Sequence, residues 1–304
     1  MKENILITGG SGLLALNWAA VIREKFNVTL GLHECKVNLN NTKSIFLDLS
    51  SKENLTKALE DLEPKLVIHT AGLTNIELCE ANPELAEYIN AELTNNIASA
   101  CAKLNIFMVY ISTDHLFSGH DSFVDEDCPT SPVNVYAKTK LKAEKYILDS
   151  HSEILIIRTN FYGWGTSYRQ SFSDMIIKNL RAGKKVTLFK DIFYTPIFIE
   201  PLIYSVHELF QKNIKGIFNI VGDDRISKFD FGLKLAKEFQ LNHNLIETGK
   251  INDKLSLVFR PHDMSLSNQK VTKSLGRKIG GIDQHISKLK AQEVSGHARE
   301  LALL

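Results

Sequence analysis

Short runs of aliphatic and β-branched residues alternate along the chain with longer stretches in which apolar positions recur every three or four residues. NILIT is followed by a helical pattern over Leu13–Phe26, and then come VTLGL, SIFLDL and a helix over Asn54–Leu62. LVIHTA leads into a long helix over Pro83–Leu104, and IFMVYIS into a helix over Val133–Leu148 and a strand over Ile154–Arg158. Strands separated by helices predict parallel pairing through right-handed crossovers. The expected class is therefore α/β, a doubly wound parallel sheet with ligands at the carboxyl ends of its strands.

Beyond residue 160 the alternation becomes less regular. RTNFYGWGTSYRQ has the aromatic, Gly-rich and polar composition of a loop around a ligand, and equally of an ordinary surface loop. TPIFIEPLIYSVHELF predicts a short strand entering a helix, and GIFNIVGDD a strand ending in a turn. The expected organisation is a main domain over 1–160, joined by about 193–213, with a smaller interleaved lobe over most of 161–304. A chain of 304 residues is long enough for both.

Composition narrows the partners. Lys and Arg number 36 against 35 acidic residues, so the expectation is no nucleic acid and no membrane surface, with small ligands left open. MKENILITGGSGLLALNWAAVIREKF has the charge and apolar order of a signal peptide. Gly9, Gly10, Ser11 and Gly12 interrupt it, however, and it flows into the amphipathic VIREKF, which suits strand, turn and helix. No apolar stretch reaches the roughly 18 residues of a membrane span. Cys35, Cys79, Cys101 and Cys128 are widely spaced, with no C-x-x-C pair and no His at zinc-ligand spacing. A reduced, cytoplasmic chain without a metal is expected.

ITGGSGLLAL places Gly9 and Gly12 between the first strand and the first helix, where backbone amides and a helix N-terminus can receive a pyrophosphate, with Ala15 as the small residue helix packing requires. The second strand ends GLHECK without the acid that would hold an unphosphorylated ribose. His33 and Lys36 could face a 2′-phosphate instead, favouring NADP with NAD possible, or could form a solvated turn. Asp48 could accept the adenine amino group or cap the helix beginning SSKEN.

VYISTDHLFSG runs from an apolar strand into Ser112, Thr113, Asp114 and His115, more polar groups than a turn needs. In YAKTKLKAEKY, Tyr136 and Lys140 lie four residues apart on one helical face. The Lys140 ammonium is expected to favour phenolate at Tyr136 and lower its pKa. Asn160, Tyr162 and Trp164 could contact a sugar or base or simply pack, and Arg260 could pair with a nucleotide phosphate or form a structural salt bridge.

ITGGSGLLA, HTAG and YAKTK stand in the order found in the extended short-chain dehydrogenase/reductase superfamily, which the chain resembles. Within it, ISTDHLFSG, LTNIELCEANPELAEYINA and RPHDMSLSNQKVTKSLG are similar to the dTDP-4-dehydrorhamnose reductase family. The resemblance implies a Rossmann-like main domain and reduction of a keto-sugar on a nucleotide. Thr113 would hold the carbonyl, Tyr136 would donate the proton, and Lys140 would bind the nicotinamide ribose and tune Tyr136. Gly9, Gly12 and Ala15 would hold the pyrophosphate, Ala71 and Gly72 would line the cofactor cleft, and Thr74 would lie near cofactor and sugar. A homodimer through the helices over 83–104 and 133–150 is implied as well.

Two departures stand out. His115 replaces the family's tyrosine, as a sugar contact or a second acid/base, and Ala137 replaces a glycine. Dehydratases of the superfamily carry a glutamate after the aspartate, where this chain has His115, so reduction is expected over dehydration. The alternatives are an epimerase using His115, or a non-catalytic NADP-binding subunit like the methionine adenosyltransferase β-subunit, which resembles the same family.

Overall fold

The apolar runs form the central sheet. The computed structural model describes residues 2–150, 153–253 and 257–304. Its first strands are β1 (Asn4–Thr8), β2 (Asn27–Leu32), β3 (Lys43–Phe46), β4 (Leu66–His69), β5 (Phe107–Ile111) and β6 (Ile154–Arg158). With Gly216–Asn219 they make a seven-stranded, wholly parallel sheet in the order β3-β2-β1-β4-β5-β6-(216–219). The last strand comes from beyond the 193–213 stretch expected to rejoin the main domain.

Successive residues of each strand enter opposite layers, as the pleat requires. Ile5, Ile7, Phe107, Val109 and Ile111 join one core, whereas Leu6, Met108 and Tyr110 join the other. Both faces are covered by helices, which is why the strands read as nearly continuous apolar runs. The α-helices up to residue 238 are α1 (Leu13–Ile22), α2 (Lys52–Leu62), α3 (Ile76–Ala81), α4 (Pro83–Glu87), α5 (Leu93–Lys103), α6 (Val135–Ser150), α7 (Phe172–Arg181), α8 (Ile199–Gln211) and α9 (Lys228–Glu238), and three more follow at Gln269–Leu275, Ile282–Val294 and His297–Ala302. α1 packs against α8 on one side, and α2, α5 and α6 pack in sequence on the other. Trp18 Nε1 ties the first pair by donating to His207 Nε2 at 3.0 Å.

The helix expected over Pro83–Leu104 is not uniformly α. A π-helical turn, Tyr88–Glu92, joins α4 to α5. Outside the main sheet, Phe161–Tyr162 pairs with Ile197–Phe198, Phe193–Tyr194 with Ile226–Ser227, and Val186–Phe189 with Ile246–Gly249. No helix among the described residues is long and apolar enough to cross a membrane.

Candidate active site

The strand order reverses between β1 and β4, and in open parallel sheets the crevice outside such a reversal is where ligands bind. The turn after β1 demands glycine. Gly9 adopts φ +66°, and a Cβ there would lie 2.7 Å from Ala71 Cα in the turn after β4. Gly12 is the N-cap of α1 and supplies no side-chain cap, and no acidic residue stands in the first turn. The opening amides of α1 are therefore left for a ligand. A cleft of about 530 Å³ lies beside this turn, with Gly9, Gly10, His33, Asp48 and Ala71 in its wall. A dinucleotide fits this cradle of close-approaching backbone.

The expected cofactor residues divide. Gly12, Ala15, Lys36 and Gly72 are not in the wall of that cleft. Ala15 is fully buried in the core beneath α1, and Lys36 is exposed. Asp48 accepts from Ser50 N at 2.8 Å, and bonds from Ser50 hold its carboxyl below the usual range. The α2 cap is Ser51, whose Oγ accepts from Asn54 N. The His33 ring stacks on Phe46 at a centroid distance of 6.0 Å. Phe46 is 71 % exposed and belongs to the cleft wall. Strand periodicity hid it, since an aromatic in SIFLDL reads as core. Tyr168, from the loop expected to surround a ligand, donates its hydroxyl to Ser11 O at 2.8 Å.

At the end of β5 the four polar residues take different tasks. Ser112 turns inward and donates to Glu144 Oε1 at 2.5 Å, and Arg158 Nη2 donates to Glu144 Oε2 at 2.8 Å. All three residues are buried. Thr113 lies close enough to the Tyr136 hydroxyl to act on its proton affinity, and its Oγ1 accepts from His115 N at 3.2 Å. Asp114 Oδ2 accepts from Asn160 Nδ2 at 2.7 Å. The His115 ring meets Tyr136 edge-on at 5.8 Å, and burial lowers the imidazole pKa, with Asp114 acting in the opposite direction.

Several bonds aim α6 at this corner. Asn134 Oδ1 accepts from Ala137 N at 2.9 Å, capping the helix. Asn90, on the π turn, binds both Leu73 N and Leu73 O and donates to Thr139 Oγ1 at 3.0 Å. Thr139 in turn donates to Tyr136 O at 2.8 Å. π turns recur at functional sites because they re-aim side chains, and Asn90 clasps the turn after β4 to the helix carrying Tyr136 and Lys140.

The expected lowering of the Tyr136 pKa is corrected. Burial pushes it up to about 12, against which the neighbouring Thr113 hydroxyl acts. Lys140 is buried as well and is pushed down to about 7, opposed by Glu144. Its Nζ donates to Ile111 O at 2.7 Å and lies 4.2 Å from the Tyr110 ring centroid. Loss of water penalises the charged form of each group, and this outweighs the advantage of phenolate beside ammonium. A folded lysine that titrates near 7 binds fewer protons than the unfolded chain at higher pH. Stability is therefore expected to rise from pH 7 to about 8.5, with unfolded lysine titrating near 10.4. Urea unfolding of the native chain and Lys140→Met checks this: the native chain gains more across the interval, and parallel pH profiles refute it.

The remaining expected residues are less concentrated. Thr74 is exposed in the turn after β4. Tyr162 and Trp164 are buried, Trp164 Nε1 donating to Leu289 O at 2.9 Å, so both pack in the core. Arg260 Nη2 pairs with Glu77 at 2.5 Å while its charge acts on His115. Lys228, which sequence reasoning missed, also acts on His115 and Asp114. A charged residue opening an amphipathic helix reads as surface, and the sequence carries no sign of its neighbours.

Comparison with known proteins gives relatives along nearly the whole chain. A probable low-salt glycan biosynthesis reductase of Haloferax volcanii is 27% identical over 289 residues, covering 94% of this chain and 96% of that protein. The methionine adenosyltransferase 2 subunit beta of Rattus norvegicus is 26% identical over 250 residues, covering 79% and 73%. The crystal structure of dTDP-4-dehydrorhamnose reductase from Bacillus anthracis in complex with NADP superposes with a TM-score of 0.86 at 21% identity, covering 96% of this chain and 100% of that one. The family model described as the RmlD substrate binding domain matches residues 1–293. With that match spanning the glycine turn, the β5 corner and α6 alike, the chain belongs to the RmlD substrate binding domain family.

Proposed function

We propose that the protein is an NAD(P)-dependent reductase of a keto-sugar carried on a nucleotide, with NADP preferred and a substrate like dTDP-4-dehydrorhamnose. The observation that carries this reading is the approach of the Thr113 and Tyr136 side chains, one turn of α6 from Lys140, at the carboxyl end of β5, two strands along the same sheet from the glycine turn after β1. The similarity to a glycan biosynthesis reductase and the NADP complex of a structural neighbour support it.

Gly9, Gly10 and the opening amides of α1 would hold the pyrophosphate, and His33 on Phe46 would border the adenosine end. When bound, the reduced nicotinamide supplies the hydride. Thr113 fixes the direction of the carbonyl oxygen, and Tyr136 gives it a proton. A phenol whose pKa is pushed up to about 12 stays protonated at neutral pH and is loaded for donation. Lys140 holds the nicotinamide ribose and, while cationic, stabilises the phenolate left behind. Asn160 keeps Asp114 aligned below the sugar, and His115 contacts it. A homodimer through the faces of α5 and α6 and a cytoplasmic location belong to the same reading.

Incubation with NADPH and dTDP-4-dehydrorhamnose in deuterated water tests it. Consumption of NADPH matched by reduced sugar, without deuterium on carbons beside the carbonyl, is expected. Deuterium at those carbons without net oxidation would make the chain an epimerase. The similarity to the methionine adenosyltransferase subunit favours one second reading, a regulatory NADP-binding subunit. No turnover of keto-sugar nucleotides, together with a changed activity in a co-purifying larger enzyme, would establish it.

A further inference from the structure

α9 opens with a lysine where local chemistry argues against one. A helix N-terminus carries partial positive charge and disfavours a cation in its first turn. Ser227 already caps the helix, its Oγ accepting from Asp230 N at 3.0 Å. Lys228 is nevertheless firmly placed: its N–H donates to Ile192 O at 3.0 Å, and the preceding Ile226–Ser227 pairs with Phe193–Tyr194.

The side chain is half-buried over aromatic rings. Nζ lies 3.4 Å from the Tyr194 ring centroid and 4.8 Å from that of Phe172. Among the described residues, no acceptor hydrogen-bonds this ammonium and no carboxylate forms an ion pair with it at contact distance. Ring faces attract a cation but accept no conventional hydrogen bond, so its donors are unsatisfied by the protein.

Its surroundings define what would complete it. Lys228, Arg260 and His115 act electrostatically on one another, and Asp114 acts on both Lys228 and His115. Asp114 is held by Asn160 and Arg260 by Glu77, yet Arg260 Nε and His115 Nδ1 are buried without a partner. Two cations and an imidazole, from three segments, thus lie about the corner that holds Thr113 and Tyr136. The complement to that corner is an acceptor rich in oxygen and carrying negative charge.

We propose that Lys228 is a specificity-determining residue of the substrate site, taking an anionic oxygen of the nucleotide sugar. This rests on the reading of the protein as a keto-sugar nucleotide reductase. The oxygen belongs either to the diphosphate or to a carboxylate on the sugar. Burial pushes Lys228 down to about 8, which leaves it cationic at neutral pH.

The test titrates the NADPH-loaded full chain, Lys228→Met and Lys228→Arg with UDP, dTDP, UDP-glucose and UDP-glucuronate. Methionine keeps an unbranched stem over the two rings and removes the charge. Loss of one charge-assisted bond is expected to weaken binding by about tenfold to a hundredfold, with Lys228→Arg retaining most of the affinity and NADPH binding equal in all three chains. A similar loss for all probes assigns the diphosphate, and a loss confined to UDP-glucuronate assigns a carboxylate. Unchanged affinities in Lys228→Met, or NADPH affinity falling in parallel, overturn the inference while the reductase reading stands. If the native chain binds NADPH but none of the four probes, that reading fails and the inference with it.

Discussion

Tyr136→Phe is expected to lower kcat for keto-sugar reduction by about a hundredfold to ten-thousandfold, the range for removing a positioned general acid, while NADPH still binds. The phenol touches the reacting corner and does little for the cofactor cleft. It lies beside Thr113, and burial keeps its proton in place. Phenylalanine retains the ring against His115, which meets it edge-on at 5.8 Å. Packing is thereby preserved and only the donor is lost. Steady-state kinetics with NADPH titrated separately reads the two effects apart, and a kcat within about threefold of the native value would remove Tyr136 from the chemistry. His115→Ala is expected to act mainly on KM. Loss of turnover equal to that of Tyr136→Phe would make the imidazole an acid/base instead of a sugar contact.

The largest stability effect is expected at Glu144. Its carboxylate, 1 % exposed, accepts from Ser112 and from Arg158 Nε and Nη2. Arg158 is itself buried, and its guanidinium lies 5.6 Å from the Phe117 ring centroid. Removing one partner of such a pair strands a charge in the interior. Glu144→Ala should therefore cost about 3–5 kcal/mol, a large part of the roughly 5–15 kcal/mol that holds a typical domain folded. Glu144→Leu combined with Arg158→Met should recover much of that loss, because no charge is then left unpaired. Urea unfolding of the two chains decides it, and a Glu144→Ala loss below about 1 kcal/mol would show that Arg158 finds another acceptor. Activity should fall as well, since Ser112 immediately precedes Thr113 and Glu144 opposes the burial shift of Lys140.

Strands were the most legible part of the chain. Ile154–Arg158 appears with the bounds its apolar run predicts, because a parallel strand covered on both faces is apolar nearly throughout and here ends on its one charged residue, Arg158. The π turn could not be read: apolar spacing in INAELTNN is compatible with an ordinary helix, and the extra residue per turn is stabilised by Asn90 reaching Leu73. Spacing alone put Tyr136 and Lys140 on one face, yet their proton affinities depend on burial, which local spacing does not encode. Ser112 and Thr113 are adjacent hydroxyls with opposite fates, one facing Glu144 and one facing Tyr136. Those partners lie far along the chain, and only the crossover from β5 to α6 brings them close. Lys228 was hidden for the same reason.

The π turn also shows where the gene can change. An i→i+5 turn takes up one residue more than an α turn over the same arc, so deleting a single codon within Tyr88–Glu92 would restore regular winding and leave everything downstream in α5 on its present face. The same deletion inside Leu93–Lys103 would instead rotate the two sides of the helix against each other by roughly 100° about the axis. Length can therefore drift at the turn, with loss of the Asn90 clasp on Leu73, but not along the apolar stretch that follows it.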